Sequence, residues 1–140
     1  MSIERTLVLI KPDGVARNLS GAILSRIEAK GYTLAELKKV DASRELLEQH
    51  YEEHVGKPFY EPLVDFMSSG SVTAVVIEGQ DCVKGFRSLA GATNPTEALP
   101  GTIRGDFGRD WGTPVQQNIV HGSDSHESGE REIAIWFPQL

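Results

Sequence analysis

The stretch Asn118-Ile119-Val120-His121-Gly122-Ser123-Asp124 sets a histidine beside a glycine and just ahead of a segment that reads as a helix. A neutral imidazole nitrogen is a competent nucleophile near pH 7, and a carboxylate on its other nitrogen fixes the tautomer and stabilises the charged product. Glu132 is the candidate for that carboxylate. The helix is expected because Asp124 and Glu127 have capping-box spacing and Glu130, Arg131, Glu132, Ile133 and Ile135 supply helix formers and an apolar face. Unpaired N–H groups at a helix start favour anions, so the chemistry to consider for His121 is attack on a phosphate.

A nucleoside triphosphate needs cations for its phosphates, donors for its ribose and an apolar surface for its base. Lys11, Arg87 and Arg104 are the basic residues placed to neutralise phosphate, the two arginines through paired N–H groups. Thr93 adds a hydroxyl, Asn118 is suited to a ribose hydroxyl, and Phe59 offers a ring on which any base can stack. Neither Gly-x-x-x-x-Gly-Lys-Ser/Thr nor Gly-x-Gly-x-x-Gly occurs, which disfavours the ordinary phosphate-loop and dinucleotide folds. His50 and His54 are spaced like two metal ligands on one helix face. With no third ligand apparent, a solvated face is the expectation for them, and a surface position for His126.

These residues must be held by one compact domain, 1–140, because 140 residues with 39% apolar content suffice for one core and not for two. The formal net charge of −6 argues against nucleic acid as the main partner. No apolar run approaches the roughly 20 residues of a membrane helix, so no membrane is expected. Glu4 and Arg5 interrupt any secretory signal, and the lone Cys82 is compatible with a reducing, cytoplasmic location.

The elements follow from periodicity. Thr6 to Ile10 reads as a buried strand stopped by a turn at Lys11-Pro12-Asp13-Gly14. Ser20 to Lys30 reads as a helix capped by Ser20 and ended by Gly31, and Thr33 to Val40 as a strand whose alternation is blurred by Glu36. Ser43 caps a helix in which Leu46, Leu47, His50, Tyr51 and His54 recur at helical spacing. Lys57-Pro58-Phe59 opens another, carrying Leu63, Phe66 and Met67 inward and closed by Gly70. Val72 to Ile77 has the unbroken apolar character of a strand covered on both faces. Asp81 caps a helix holding Val83, Phe86, Leu89 and Ala90, with Arg87 on its flank. Gly91 to Gln117 is aperiodic and reads as a long functional loop. Strands interleaved with helices indicate a two-layer α/β sandwich.

Lys11-Pro12-Asp13-Gly14, Gly91-Ala92-Thr93-Asn94-Pro95, Gly101-Thr102-Ile103-Arg104-Gly105-Asp106 and Asn118 to Asp124 together resemble the motifs of nucleoside diphosphate kinases, in that family's order, over about Glu4 to Pro138. The resemblance implies a ferredoxin-like βαββαβ core with added helices, an α/β (α+β) sandwich around a four-stranded antiparallel sheet. It implies ping-pong transfer of the γ-phosphate of ATP or another nucleoside triphosphate to His121 Nδ1, and from there to a nucleoside diphosphate. Glu132 would bond the other ring nitrogen together with Ser123. Lys11, Tyr51, Arg87, Thr93, Arg104 and Asn118 match positions that hold phosphates, ribose or the histidine. Phe59 matches the base-stacking ring and Val115 the apolar contact on the base's other side. Mg²⁺ would enter on the nucleotide phosphates, with Glu53 reaching it through water. Broad base and sugar specificity follows, as does a homo-oligomer (hexamer, tetramer or dimer) using the loop around Asn94 and Pro95.

The chain departs from the family pattern at Gly108 to Pro114, a run longer by about four residues, and at Ser71 and Gln117. Three roles are open to Trp111 in the longer run, covering the nucleotide, packing between subunits or shielding the loop's own backbone, and packing is the expectation. The rival readings are a catalytically silent nucleotide binder of the same fold and a ferredoxin-like nucleic-acid-binding module.

Overall fold

The computed structural model describes residues 3–139, so the ends of the expected unit at 1, 2 and 140 lie outside the described residues. In chain order the elements are β1 (Ile3–Ile10), α1 (Pro12–Ala16), α2 (Ser20–Lys30), β2 (Thr33–Val40), α3 (Arg44–His50), α4 (Tyr60–Met67), β3 (Val72–Gln80), α5 (Cys82–Ala90), α6 (Ile103–Phe107), β4 (Val120–Gly122) and α7 (His126–Trp136). The sheet order is β2-β3-β1-β4 with every pair antiparallel. Connecting β1, α2, β2, β3, α5 and β4 gives the ferredoxin-like βαββαβ path. Helices α3 and α4 are inserted between β2 and β3, and α7 is appended.

Alternate residues of β1 feed two cores. Leu7 and Leu9 pack with Leu47, Val64, Met67, Ile133 and Trp136 of α3, α4 and α7. Val8 and Ile10 pack with Ile23, Ile27, Phe86 and Ile103 of α2, α5 and α6. The inserted and appended helices thus close the second face, and the sandwich has three layers rather than two. That is why β1 and β3 are apolar at successive positions instead of alternating. The blurred pattern of β2 has a local cause, a register shift between Leu34 and Glu36.

Several local expectations need correction. The turn at Lys11 to Gly14 is the opening of α1, with Pro12 at a first-turn position where its missing N–H costs nothing. Ser20 does not cap α2; its hydroxyl pairs with that of Thr73 at 3.2 Å. Ser125, not Asp124, caps α7 by accepting from Ser128 N–H at 3.0 Å. Asp81 precedes α5 without a side-chain cap bond, and α4 starts at Tyr60 rather than Lys57. The long aperiodic stretch contains α6, capped by Thr102 through Gly105 N–H at 3.0 Å. Ser43 and Gly31 do end their helices as read, Gly31 with φ 107°.

Strand β4 lies so close to α5 that a Cβ at Gly122 would meet Phe86 Cδ2 at 2.6 Å, and the Phe86 ring is fully buried. Gly122→Ala is therefore expected to lower stability by about 1–3 kcal/mol, measured as a reduced denaturant midpoint with an unchanged slope.

Candidate active site

Strand β4 presents His121 beside Leu9 of β1. Its Nε2 lies 2.8 Å from Glu132 Oε1, which also accepts the Ser123 hydroxyl at 2.7 Å, while Ser123 Oγ accepts Leu7 N–H at 3.3 Å. Glu132 is buried on α7. Burial alone would raise its carboxyl, but the hydrogen bond and charge of His121 and the Ser123 hydroxyl outweigh it and hold it down to about 2. An ionised carboxylate only accepts, so Nε2 carries the ring proton and Nδ1 keeps its lone pair.

His50 corrects the expectation of a solvated face. It is buried at 5% exposure where α3 meets α7, and its Nδ1 accepts Trp136 Nε1–H at 3.0 Å. Burial and the neighbouring His121 lower its pKa to about 3, so the ring is neutral with its proton on Nε2. His50, His121 and Glu132 place potential metal-ligand atoms within 4.8 Å of one another. The trio is a poor metal site, because a metal on His50 Nε2 would force a proton onto Nδ1, against the Trp136 N–H. From His121 an aromatic file leads outward: the His50 ring at 4.8 Å, Tyr51 at 4.5 Å from His50, His54 at 6.0 Å from Tyr51, and Phe59 at 5.1 Å from His54. Burial, and then Glu132, push the Tyr51 hydroxyl well above its usual range, so it remains a neutral donor.

The cations converge from three segments. Lys11 Nζ donates to Asn118 Oδ1 at 2.8 Å, and Asn118 Nδ2 donates to Thr93 O at 3.0 Å. Arg104 donates to the carbonyls of Asn118 (3.1 Å), Gly91 (2.9 Å) and Val120 (2.7 Å), leaving further N–H groups for a ligand. Arg87 reaches Gly122 O at 3.4 Å. Among the described residues no carboxylate forms a salt bridge with any of the three cations. Burial and Arg104 bring Lys11 down to about 8; burial and Arg87 bring Arg104 down to about 10. A hollow of about 130 Å³ lies between Arg87, Thr93, Arg104 and Gly122.

The apolar end is a cleft of about 500 Å³ lined by Phe59, Leu63, Pro114, Val115 and Gln116, so the ring and the aliphatic contact expected to flank a base do share one opening. Glu53 stands exposed on the helical turn Glu52–His54. Trp111 lies under two guanidinium groups, Arg109 at 4.3 Å and Arg17 at 5.4 Å. His126 is exposed.

Sequence reasoning weighed His50 and His54 only as metal ligands or a solvated face, and gave Asp13 no role. The signal for His50 was its place in the apolar stripe of α3. Asp13 left none: its Oδ2 accepts the N–H of Ile119 at 3.1 Å, 106 residues away. Ile119 has φ 73°, and Val120 N–H bonds Asn118 O at 2.7 Å across it, the strained form of γ-turn.

The family model described as nucleoside diphosphate kinase matches residues 4–140. A nucleoside diphosphate kinase of Rhodococcus erythropolis is 59% identical over 138 residues, covering 98% of this chain and 96% of that protein. One of Caldanaerobacter subterraneus subsp. tengcongensis is 56% identical, covering 99% and 96%. Among solved structures, a halophilic nucleoside diphosphate kinase from Halobacterium salinarum in complex with CDP superposes with TM-score 0.90 at 46% identity, covering 97% of this chain and 88% of that one. The apo enzyme from Encephalitozoon cuniculi gives 0.89 at 46% identity, covering 96% and 88%.

The depressed Glu132 carboxyl has a stability consequence whose sign is fixed: the group favours folding above its unfolded value of 4.5, and the benefit is lost as pH falls towards about 2. Thermal unfolding followed from pH 6 downward is expected to show wild type losing stability more steeply than Glu132→Gln below about pH 5.

Proposed function

The chain belongs to the nucleoside diphosphate kinase family, whose members transfer phosphate between nucleotides through a phosphohistidine, and from that membership we propose that His121 carries the phosphoryl group on Nδ1. The observation that carries this reading is the 2.8 Å contact of its other nitrogen with the buried Glu132 carboxylate, which leaves one ring nitrogen nucleophilic.

In the first half-reaction the Nδ1 lone pair attacks the γ-phosphorus of a nucleoside triphosphate, the bond to the β,γ-bridging oxygen breaks, and a nucleoside diphosphate leaves. Phosphorylated His121 is cationic on the ring, and Glu132, oriented by Ser123, stabilises that charge. In the second half-reaction a terminal oxygen of another nucleoside diphosphate attacks the same phosphorus and the ring recovers its lone pair. Lys11, Arg87 and Arg104 neutralise the phosphates, and preorganised cations of this kind supply most of the catalysis in phosphoryl transfer. Tyr51, a neutral donor, bonds a phosphate oxygen beside His121, while Thr93 and Asn118 serve phosphate and ribose. Phe59 and Val115 sandwich the base through its faces, so A, G, C, U and T are all accepted, as is deoxyribose.

Mg²⁺ fits as a companion of the nucleotide, since Glu132 is already committed to His121 and Ser123. Bound there it would neutralise phosphate charge, with Glu53 as its outer carboxylate through water. We further propose that residues 1–140 act as one domain, that the protein works as a homo-oligomer (a hexamer, tetramer or dimer) and that it is cytoplasmic. None of the described helices is long and apolar enough to cross a membrane.

Incubation with γ-labelled ATP and Mg²⁺ without acceptor is expected to leave acid-labile label on His121 that moves to added GDP. His121→Ala should take no label yet bind nucleotide; turnover by that variant would overturn the mechanism. A folded, nucleotide-binding wild type that takes no label would instead mark a silent binder. Phe59→Ala is expected to weaken every nucleotide about tenfold through lost stacking, and unaltered affinity would displace the base site.

A further inference from the structure

We propose that Asp13 is a positioning residue whose carboxylate latches the strained turn at Ile119 and so fixes the phosphate-binding end of the site. The inference rests on the assignment of Lys11, Arg104 and His121 to phosphoryl transfer made above.

A β-branched residue with positive φ persists only where its surroundings over-determine it. Ile119 is fully buried, and the start of α1 grips both of its backbone groups. Lys11 N–H donates to Ile119 O at 2.7 Å, and Ile119 N–H donates to Asp13 Oδ2 at 3.1 Å. On the C-terminal side Val120 and His121 are in register with Ile10 and Leu9, so the turn cannot relax in that direction without slipping the nucleophile along the sheet. Slack would fall on Asn118, and that residue is the junction of the cationic cluster. Its side chain holds Lys11 Nζ at 2.8 Å, and its carbonyl and that of Val120, on either side of the turn, hold Arg104 at 3.1 and 2.7 Å.

Loss of the latch leaves the Ile119 N–H buried without an acceptor in a strained conformation, and relaxation moves Lys11 and Arg104 relative to His121. Phe59 and Arg87 stand on other segments. The step that needs Lys11 and Arg104 aligned on the migrating phosphoryl group should therefore suffer more than the grip on nucleotide.

The test compares full-length wild type, Asp13→Ala, and Asp13→Asn, which keeps an acceptor oxygen at the same reach. The readouts are the single-turnover rate of His121 phosphorylation by Mg²⁺ and ATP, ADP affinity, and hydrogen exchange of the Ile119 amide by NMR. Asp13→Ala is expected to lose about tenfold or more in rate and in amide protection, with ADP affinity within about threefold; Asp13→Asn should stay within about threefold in all three. Where Asp13→Ala does not fold, Asp13→Ser, whose oxygen is too short to reach Ile119, takes its place. Wild-type rate and protection in the shortened variant, equal losses in the asparagine variant, or an ADP affinity that falls in step with the rate would each overturn the proposal. A wild type that takes no label on His121 counts against the functional reading instead, and the Ile119 amide then decides the latch alone.

Discussion

A buried carboxylate held against one nitrogen of one histidine is the constraint that organises the rest of this molecule. An ion is costly to bury unless its acceptor sites are filled, and here the histidine and the Ser123 hydroxyl both fill the same oxygen of Glu132. For this to happen α7 must lie flush on β1. Gly129 permits it, since a Cβ there would stand 3.0 Å from Arg5 O, and Ile133 and Trp136 supply the apolar surface that keeps it there. The same helix sends the Trp136 N–H to His50, so one docking event sets the tautomer of both neighbouring imidazoles.

The other half of the site is a group of cations, Lys11, Arg87 and Arg104, with which no carboxylate among the described residues forms a salt bridge. Burial, and then the charge of a neighbouring arginine, lowers the pKa values of Lys11 and Arg104, a tension that a bound polyanion would relieve. The acidic balance of the chain as a whole makes the contrast sharper: at a net charge of −6 the positive region is local, enclosed by segments from β1, α5, α6 and the approach to β4. Carbonyl oxygens rather than carboxylates hold Arg104 in place. They orient the guanidinium without cancelling its charge.

Strands β1 and β3 were legible in the sequence because burial on two faces leaves unbroken apolar runs, and Val72 to Ile77 shows it. The histidine, its carboxylate and the cations were legible through motifs. What could not be seen was anything decided by a distant partner. Ser20 looks like a cap until Thr73 is beside it. His50 reads as solvated because its acceptor role depends on an indole 86 residues away. Asp13 reads as an ordinary turn residue for the same reason. The longer run at Gly108 to Pro114 could be noticed but not shaped from sequence. Its outer part packs Trp111 between arginines, while its end brings Pro114 and Val115 to face Phe59.

The chain contains two tryptophans, and the fold gives them opposite surroundings. Trp136 is 1% exposed and hydrogen-bonded to the ring that touches His121, whereas Trp111 is 43% exposed among guanidinium groups. The molecule therefore carries a built-in optical gauge. A solute quencher silences the outer indole first, and the emission that survives comes from an indole one ring removed from the histidine, so a change of charge there becomes visible without any label.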